Sequence, residues 1–172
     1  AAQEIELVKK KKGKPHIANL SNVHFNISHS GNYVVCAVSA QELGIDVERV
    51  RKVNLRIAER FFSQPEIDDL MALEEDERMQ YFITLWTIKE SYLKAIGRGL
   101  TQHLNSFTIR KNGDSYLLTG NAEAEGYGIE AFNIAPDYAM AICAPLPFSP
   151  AEVTTLSLKD ITCSLPVYPE SH

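Results

Sequence analysis

Short runs with a period of two fill the first fifty residues. Residues 4–8 alternate and predict a strand, and the runs 23–28 and 33–39 flank Ser30-Gly31-Asn32 as a predicted hairpin. A third strand follows over 43–48. The period then changes. Asn54 is placed to cap a short helix over 55–62, and Ser63-Gln64-Pro65-Glu66 has the form of a capping box opening a helix over 64–73. Acidic residues 74–77 lead into the longest predicted helix, 76–96, with Gly97 as its left-handed terminator. Strands are predicted over 106–110 and 115–119 around Asn112-Gly113, then over 127–134 and 138–144. The tail from Pro145 carries several prolines and little periodicity, with Val153 to Leu158 as one short packing element.

Helices gathered between hairpins predict an α+β fold. Phe25-Asn26-Ile27 is echoed by Phe132-Asn133-Ile134, and Cys36-Ala37 by Cys143-Ala144 at the same offset. The echo is either chance between two ordinary hairpins or the trace of two related lobes in pseudo-twofold arrangement, each a small antiparallel sheet packed with a long helix. On the second reading, residues 1–49 form the first lobe, incomplete at its N-terminus. Residues 50–145 form the second, and 146–172 a tail.

With 45% apolar and 23% charged residues, the 172-residue chain has an ordinary globular composition. A net charge of −5 argues against charge-driven nucleic-acid binding. No apolar run approaches the ~20 residues of a membrane span, and no signal-peptide pattern is present. A cytoplasmic monomer with no membrane or nucleic-acid partner is expected. Cys36, Cys143 and Cys163 have no metal-type spacing and read as small buried thiols. Lys9 to Lys12, before the turn Gly13-Lys14-Pro15, form either a solvated tip or a phosphate contact.

The candidate chemistry lies in two stretches. In the strand Gly44-Ile45-Asp46-Val47-Glu48, the two acids project from one face and Ile45 and Val47 from the other. Taken alone, such a pair reads first as a solvated strand face and only then as half a cation site. On the long helix, Phe82, Leu85, Trp86, Leu93 and Ile96 form an apolar stripe with Lys89 near its middle. A lysine there needs water or a fixed anion. Glu90 and Lys94 are one turn apart; as a surface pair they contribute only ~0.3–0.5 kcal/mol, which accounts for Glu90 but not for Lys89. Magnesium suits a few carboxylates beside phosphate, with Asp46, Glu48 and Glu90 as oxygen donors and Lys89 and Lys94 as compact charges for phosphate.

The segment from Trp86 to Leu100 reads Trp-x-x-Lys-Glu-x-x-x-Lys-x-x-Gly-x-Gly-Leu. With Gly44-Ile45-Asp46-Val47-Glu48, Phe25-Asn26-Ile27-Ser28-His29-Ser30 and Phe61-Phe62-Ser63, it resembles the 4'-phosphopantetheinyl transferases of the surfactin-synthetase-activating type, over about Gly13 to Pro145. The resemblance implies transfer of the 4'-phosphopantetheine arm of coenzyme A to a serine of an apo-carrier protein, with release of adenosine 3',5'-bisphosphate. It implies Mg2+, with Mn2+ as a substitute, held by Asp46, Glu48 and Glu90. It implies phosphate contacts from Lys94 and Lys89, and the adenosine end near Lys14, Pro15, Ser28 and His29. Glu90 is then the candidate base, through a water. Glu66 aligns with a family glutamate near the site, its rival role being the capping box.

By the same resemblance a carrier docks near Val50 to Phe62. Leu55, Ile57 and Phe61 read equally as the inner face of a short helix. Peptide-synthetase, polyketide-synthase and fatty-acid carriers are all open. Family members of this type have a further N-terminal portion that the chain lacks, so a fragment or processed form, with exposed core and reduced activity, is expected. The rival functions are a magnesium-dependent coenzyme A pyrophosphatase and a non-catalytic truncated module that binds coenzyme A or a carrier.

Overall fold

The computed structural model describes residues 5–9, 14–97, 103–149, 151–157 and 159–160. Lys10, Lys11 and Lys12, the loop glycine Gly99 with Leu100, Leu158 and Cys163 lie outside the described residues. Nine strands are described: β1 (Leu7–Lys9), β2 (Pro15–Ile17), β3 (His24–Ser30), β4 (Tyr33–Ser39), β5 (Gly44–Arg49), β6 (Thr108–Asn112), β7 (Ser115–Thr119), β8 (Tyr127–Phe132) and β9 (Tyr138–Pro145). The described α-helices are α1 (Ile57–Phe61), α2 (Gln64–Ala72), α3 (Glu75–Ile96) and α4 (Ala122–Glu125). Strands segregated into small antiparallel pairs around one long helix make an α+β fold.

Three of the pairs are hairpins or near-hairpins: β1–β2, β3–β4 and β6–β7. The fourth sheet has the order β5-β9-β8, in which β5 pairs with β9 from Gly44↔Cys143 to Arg49↔Tyr138. The acid-bearing strand, expected to end a first lobe at residue 49, is therefore hydrogen-bonded into the sheet of the C-terminal half. Among the described residues there is one long helix, where a long helix in each lobe was expected. The echoed residues are not equivalent either. Cys36 pairs with Ile27 and is exposed, whereas Cys143 pairs with Ile129 and is buried.

Pairing fixes the two faces of β5. Gly44, Asp46 and Glu48 stand beside Cys143, Ala141 and Ala139, which pack into the core that contains α3. Ile45 and Val47 stand beside Ile142 and Met140 in a second core, closed by Ala37, Leu43 and Tyr138. The small residues on the first face let α3 sit low on the sheet. A Cβ at Gly44 would lie 2.0 Å from the Ser91 carbonyl oxygen and 2.4 Å from the Ala95 nitrogen. Because both are backbone atoms, relief requires moving the helix. Gly44→Ala is expected to destabilise by about 2–3 kcal/mol, an overpacking cost. Urea unfolding measures it, and a wild-type midpoint would show that β5 and α3 separate freely.

Helix α3 is buried round most of its circumference, including Thr87, Ser91 and Tyr92 as well as the predicted stripe. It crosses the interior instead of lying on it. Its C-cap is Gly97 at φ +65°, the left-handed conformation glycine adopts without steric cost. The second core opens into a groove of about 850 Å³ lined by residues such as Val34, Cys36, Val38, Met140, Ile142 and Leu156. Val153 to Ser157 line or border this groove without regular structure. Val34 is 75% and Val38 66% exposed there.

Candidate active site

The site forms where β5 meets α3. Asp46 is buried, and its Oδ1 accepts from the Ser28 hydroxyl at 2.7 Å and from the Lys94 ammonium at 2.6 Å. Lys94 also donates to the Ser28 oxygen at 3.0 Å and to the Ile45 carbonyl at 3.1 Å. Asp46 Oδ2 is buried and makes no hydrogen bond. Glu48, next on the same strand face, accepts from the Ser30 hydroxyl at 3.0 Å. Glu90 projects from α3 one turn before Lys94 and is half-buried.

Electrostatics tie these groups together. Burial raises the Asp46 carboxyl above its ordinary range, against the lowering effect of Lys94 and Ser28. Burial first, and then repulsion from Asp46 and Glu48, raises Glu90, with Lys94 opposing. Burial and the neighbouring Asp46 raise Glu48, with Ser30 opposing. Three carboxylates thus share one field, with one ammonium among them. Among the described residues no three acid, histidine or cysteine side chains are already arranged to hold a metal ion. The three acids are close enough to repel, and a hard divalent cation is what such an oxygen set accepts. The orphaned Oδ2 of Asp46 is a ready donor atom for one.

Two expected site residues turn inward. Lys89 is 0% exposed, and its ammonium donates to the Leu104 carbonyl at 2.8 Å, the Phe107 carbonyl at 2.9 Å and Glu66 Oε1 at 2.8 Å. Its three hydrogens are committed, so the expectation that it contacts phosphate is corrected. The anion its position called for comes from the protein. Burial pulls this ammonium below its ordinary value, and the Glu66 carboxylate opposes that. Glu66 is also 0% exposed. It accepts from Ser63 N at 2.7 Å, completing the capping box, and from Ile109 N at 2.6 Å. An enclosed carboxylate with both oxygens engaged is a structural tie between α2, α3 and β6, not a catalytic group.

The adenosine-end candidates divide. Lys14 and Pro15 line a cavity of about 190 Å³ with His16, His24, Phe25 and Glu42. Within it, Lys14 donates to Glu42 at 2.9 Å, the Leu43 carbonyl at 2.9 Å and the Lys94 carbonyl at 3.0 Å. It thereby satisfies a carbonyl in the last turn of α3, where a cation is favoured. Ser28 belongs with Asp46 and Lys94 instead. His29 is exposed and, one residue on, projects from the opposite face of β3.

The sequence reading missed Asn26, Ser30 and Gly44. Asn26 accepts from Ile45 N at 2.8 Å, and Ser30 accepts from Arg49 N at 3.0 Å. With Ser28 they join β3 to β5 through side chains. The polar positions 26, 28 and 30 alternate with Phe25 and Ile27, a signal that marked this face. Of the possible docking residues, Leu55 and Phe61 pack on the core, and Ile57 is 40% exposed.

A sequence model of the 4'-phosphopantetheinyl transferase superfamily matches residues 42–143, and one of the 4'-phosphopantetheinyl transferase N-terminal region matches residues 1–41. The chain is 41% identical over 151 residues to 4'-phosphopantetheinyl transferase Sfp of Bacillus subtilis (strain 168), covering 87% of this chain and 67% of that protein. It is 41% identical over 146 residues to 4'-phosphopantetheinyl transferase ffp of Bacillus subtilis, covering 84% and 65%. The chain thus spans about two thirds of the length of these curated relatives. The fold is similar to that of holo-[acyl-carrier-protein] synthase from Thermotoga maritima, with a TM-score of 0.51 at 20% identity over 59% of this chain and 61% of that one.

Proposed function

Because the chain belongs to the 4'-phosphopantetheinyl transferase superfamily, we propose that it transfers the 4'-phosphopantetheine arm of coenzyme A to a serine hydroxyl of an apo-carrier protein. Adenosine 3',5'-bisphosphate leaves. The serine oxygen forms a bond to the β-phosphorus, the diphosphate bridge oxygen departs with the nucleotide, and the serine proton goes to a carboxylate. The observation that carries this reading is the convergence of Asp46, Glu48, Glu90, Ser28 and Lys94 at the contact of β5 with α3.

Each residue has a task in that step. Asp46, Glu48 and Glu90 would hold Mg2+, with Mn2+ as a substitute. The ion, when bound, neutralises charge on the diphosphate oxygens. Lys94 supplies a compact positive charge to the same oxygens. Glu90 accepts the serine proton, directly or through water. The cavity lined by Lys14 and Pro15 suits the adenosine end.

Mass spectrometry of an apo-carrier protein after incubation with coenzyme A and Mg2+ tests the reading. Addition of one phosphopantetheine is expected. Release of phosphopantetheine without any carrier supports a pyrophosphatase, and no adduct under any metal condition supports a binding module.

A thermal measurement tests the cation site separately. A carboxyl whose value is raised by folding favours the fold when protonated. The cation-free protein therefore loses that contribution as pH rises through the raised range, and a cation restores it. Saturating Mg2+ at neutral pH is expected to raise Tm by several degrees, about 2–3 kcal/mol at a hundredfold excess over Kd. The rise shrinks on acidification as protons compete for the three carboxylates. An unchanged Tm in scanning calorimetry at neutral pH would remove the cation from the site.

A further inference from the structure

We propose that Lys94 is a resident cation that occupies the acid cluster until a divalent ion displaces it, so that arrival of the ion releases the lysine toward phosphate. The inference rests on the reading above for the phosphate ligand only; the competition between lysine and metal stands on geometry.

The ammonium of Lys94 is held by three acceptors at once: Asp46 Oδ1 at 2.6 Å, Ser28 Oγ at 3.0 Å and the Ile45 carbonyl at 3.1 Å. That is a full set for its three hydrogens. In this arrangement it is aimed inward, at carboxylates, and has no hydrogen left for a phosphate oxygen. Yet its side chain is 27% exposed, against 6% for Asp46, so the stem has an open path out while the acid has none. The neighbouring Asp46 Oδ2 is buried and unsatisfied. A metal approaching that atom meets a positive charge already on the same carboxylate, and two cations on one carboxylate repel.

Lys94 also faces three acids that act on one another, Asp46 on Glu48 and Glu90 and Glu48 on Glu90, with Arg51 adding a second positive charge at Glu48. A divalent ion balances them better. Displacement therefore trades a monovalent for a divalent charge at the acids and leaves an ammonium on a flexible four-carbon stem beside them. Metal binding thereby prepares phosphate binding, and by reciprocity phosphate, by drawing Lys94 outward, favours metal.

The decisive measurement needs neither coenzyme A nor a carrier. Free Mn2+ is followed by electron paramagnetic resonance during titration of the protein alone. Lys94→Gln is expected to tighten Mn2+ binding at least about fivefold, the low end of ordinary coupling. Lys94→Arg, which keeps a charge there, is expected to give less than half of that gain. Arg51→Gln removes a cation that acts on Glu48, whereas Lys94 acts on Asp46, Glu48 and Glu90 and is hydrogen-bonded to Asp46; it is expected to change affinity by less than about twofold. Unchanged or weaker Mn2+ binding by Lys94→Gln overturns the proposal. So does an equal gain from Arg51→Gln, which would reduce Lys94 to a background charge.

The wild-type protein gives a second test that involves no variant. Reductive methylation of lysines with 13C-formaldehyde, read by NMR or peptide mass, is expected to label Lys94 severalfold faster in saturating Mg2+ than without it. Equal labelling in both conditions, with metal bound, overturns the displacement. Failure of carrier modification alongside a Lys94→Gln gain in Mn2+ affinity would remove the transferase reading and leave this inference standing.

Discussion

Glu90→Gln is expected to lower the rate of carrier modification about 10²–10³-fold, with the fold intact. The magnitude follows from what the side chain would do. It is one of three acids sharing a cation and the candidate acceptor for the serine proton. An amide keeps the size but removes both the negative charge and the basicity. Single-turnover transfer to an apo-carrier, read by mass spectrometry, separates this from binding. Thermal unfolding supplies the control, since burial and two neighbouring carboxylates already strain Glu90 in the metal-free protein. The variant is expected to unfold at or above the wild-type temperature while failing at transfer. Transfer by Glu90→Gln at the wild-type rate under saturating Mg2+ would dismiss Glu90 from the site.

The reverse pattern is expected for the enclosed pair. Lys89→Met leaves Glu66 charged, fully buried and without its cation, and strips the Leu104 and Phe107 carbonyls of their donor. Breaking a buried pair from one side costs about 3–5 kcal/mol. For a chain of this length that lowers Tm on the order of 10 °C. Glu66→Gln is expected to cost a comparable amount, since it leaves Lys89 charged and buried without its carboxylate, and the NH2 it introduces cannot accept from one of the two backbone N–H groups. Replacing both residues by apolar ones does not restore stability, because Ser63 N, Ile109 N and the two carbonyls remain in want of partners. Denaturant titration of the single and double variants measures this. A Lys89→Met protein of wild-type stability that fails only at phosphate binding would return Lys89 to the active site.

The contrast between these two residues, adjacent in the chain, shows what the sequence made legible. A lysine in the middle of an apolar helical stripe demanded an anion, and that much was readable. Which anion was not, because Glu66 reaches it from α2 through tertiary packing. The capping box and the site-facing role had been treated as alternatives for Glu66; the structure shows a third use together with the first. Residues with local signatures came out where expected. Gly97 ends α3, Asn112-Gly113 turns between β6 and β7, and alternation places Asp46 and Glu48 on one face of β5. The register of β5 on β9 had no local signature, since it joins distant segments. β2 begins at Pro15, the last residue of a stretch whose sequence favours a turn, although proline is tolerated on a short edge strand. The burial of α3 from Phe82 to Ala95 on more than one face escaped a reading by stripes, because a helix packed on several sides has little solvent face to reveal its orientation.

At Gly44 main chain rests on main chain, with no side group between. Such a junction has no rotamers through which its gap could widen or shrink. The spacing of the acids carried by the two elements is therefore mechanically insulated from repacking in either interior. A single methyl group at that one position would press on both elements at once and so disturb the acids of β5 and α3 together.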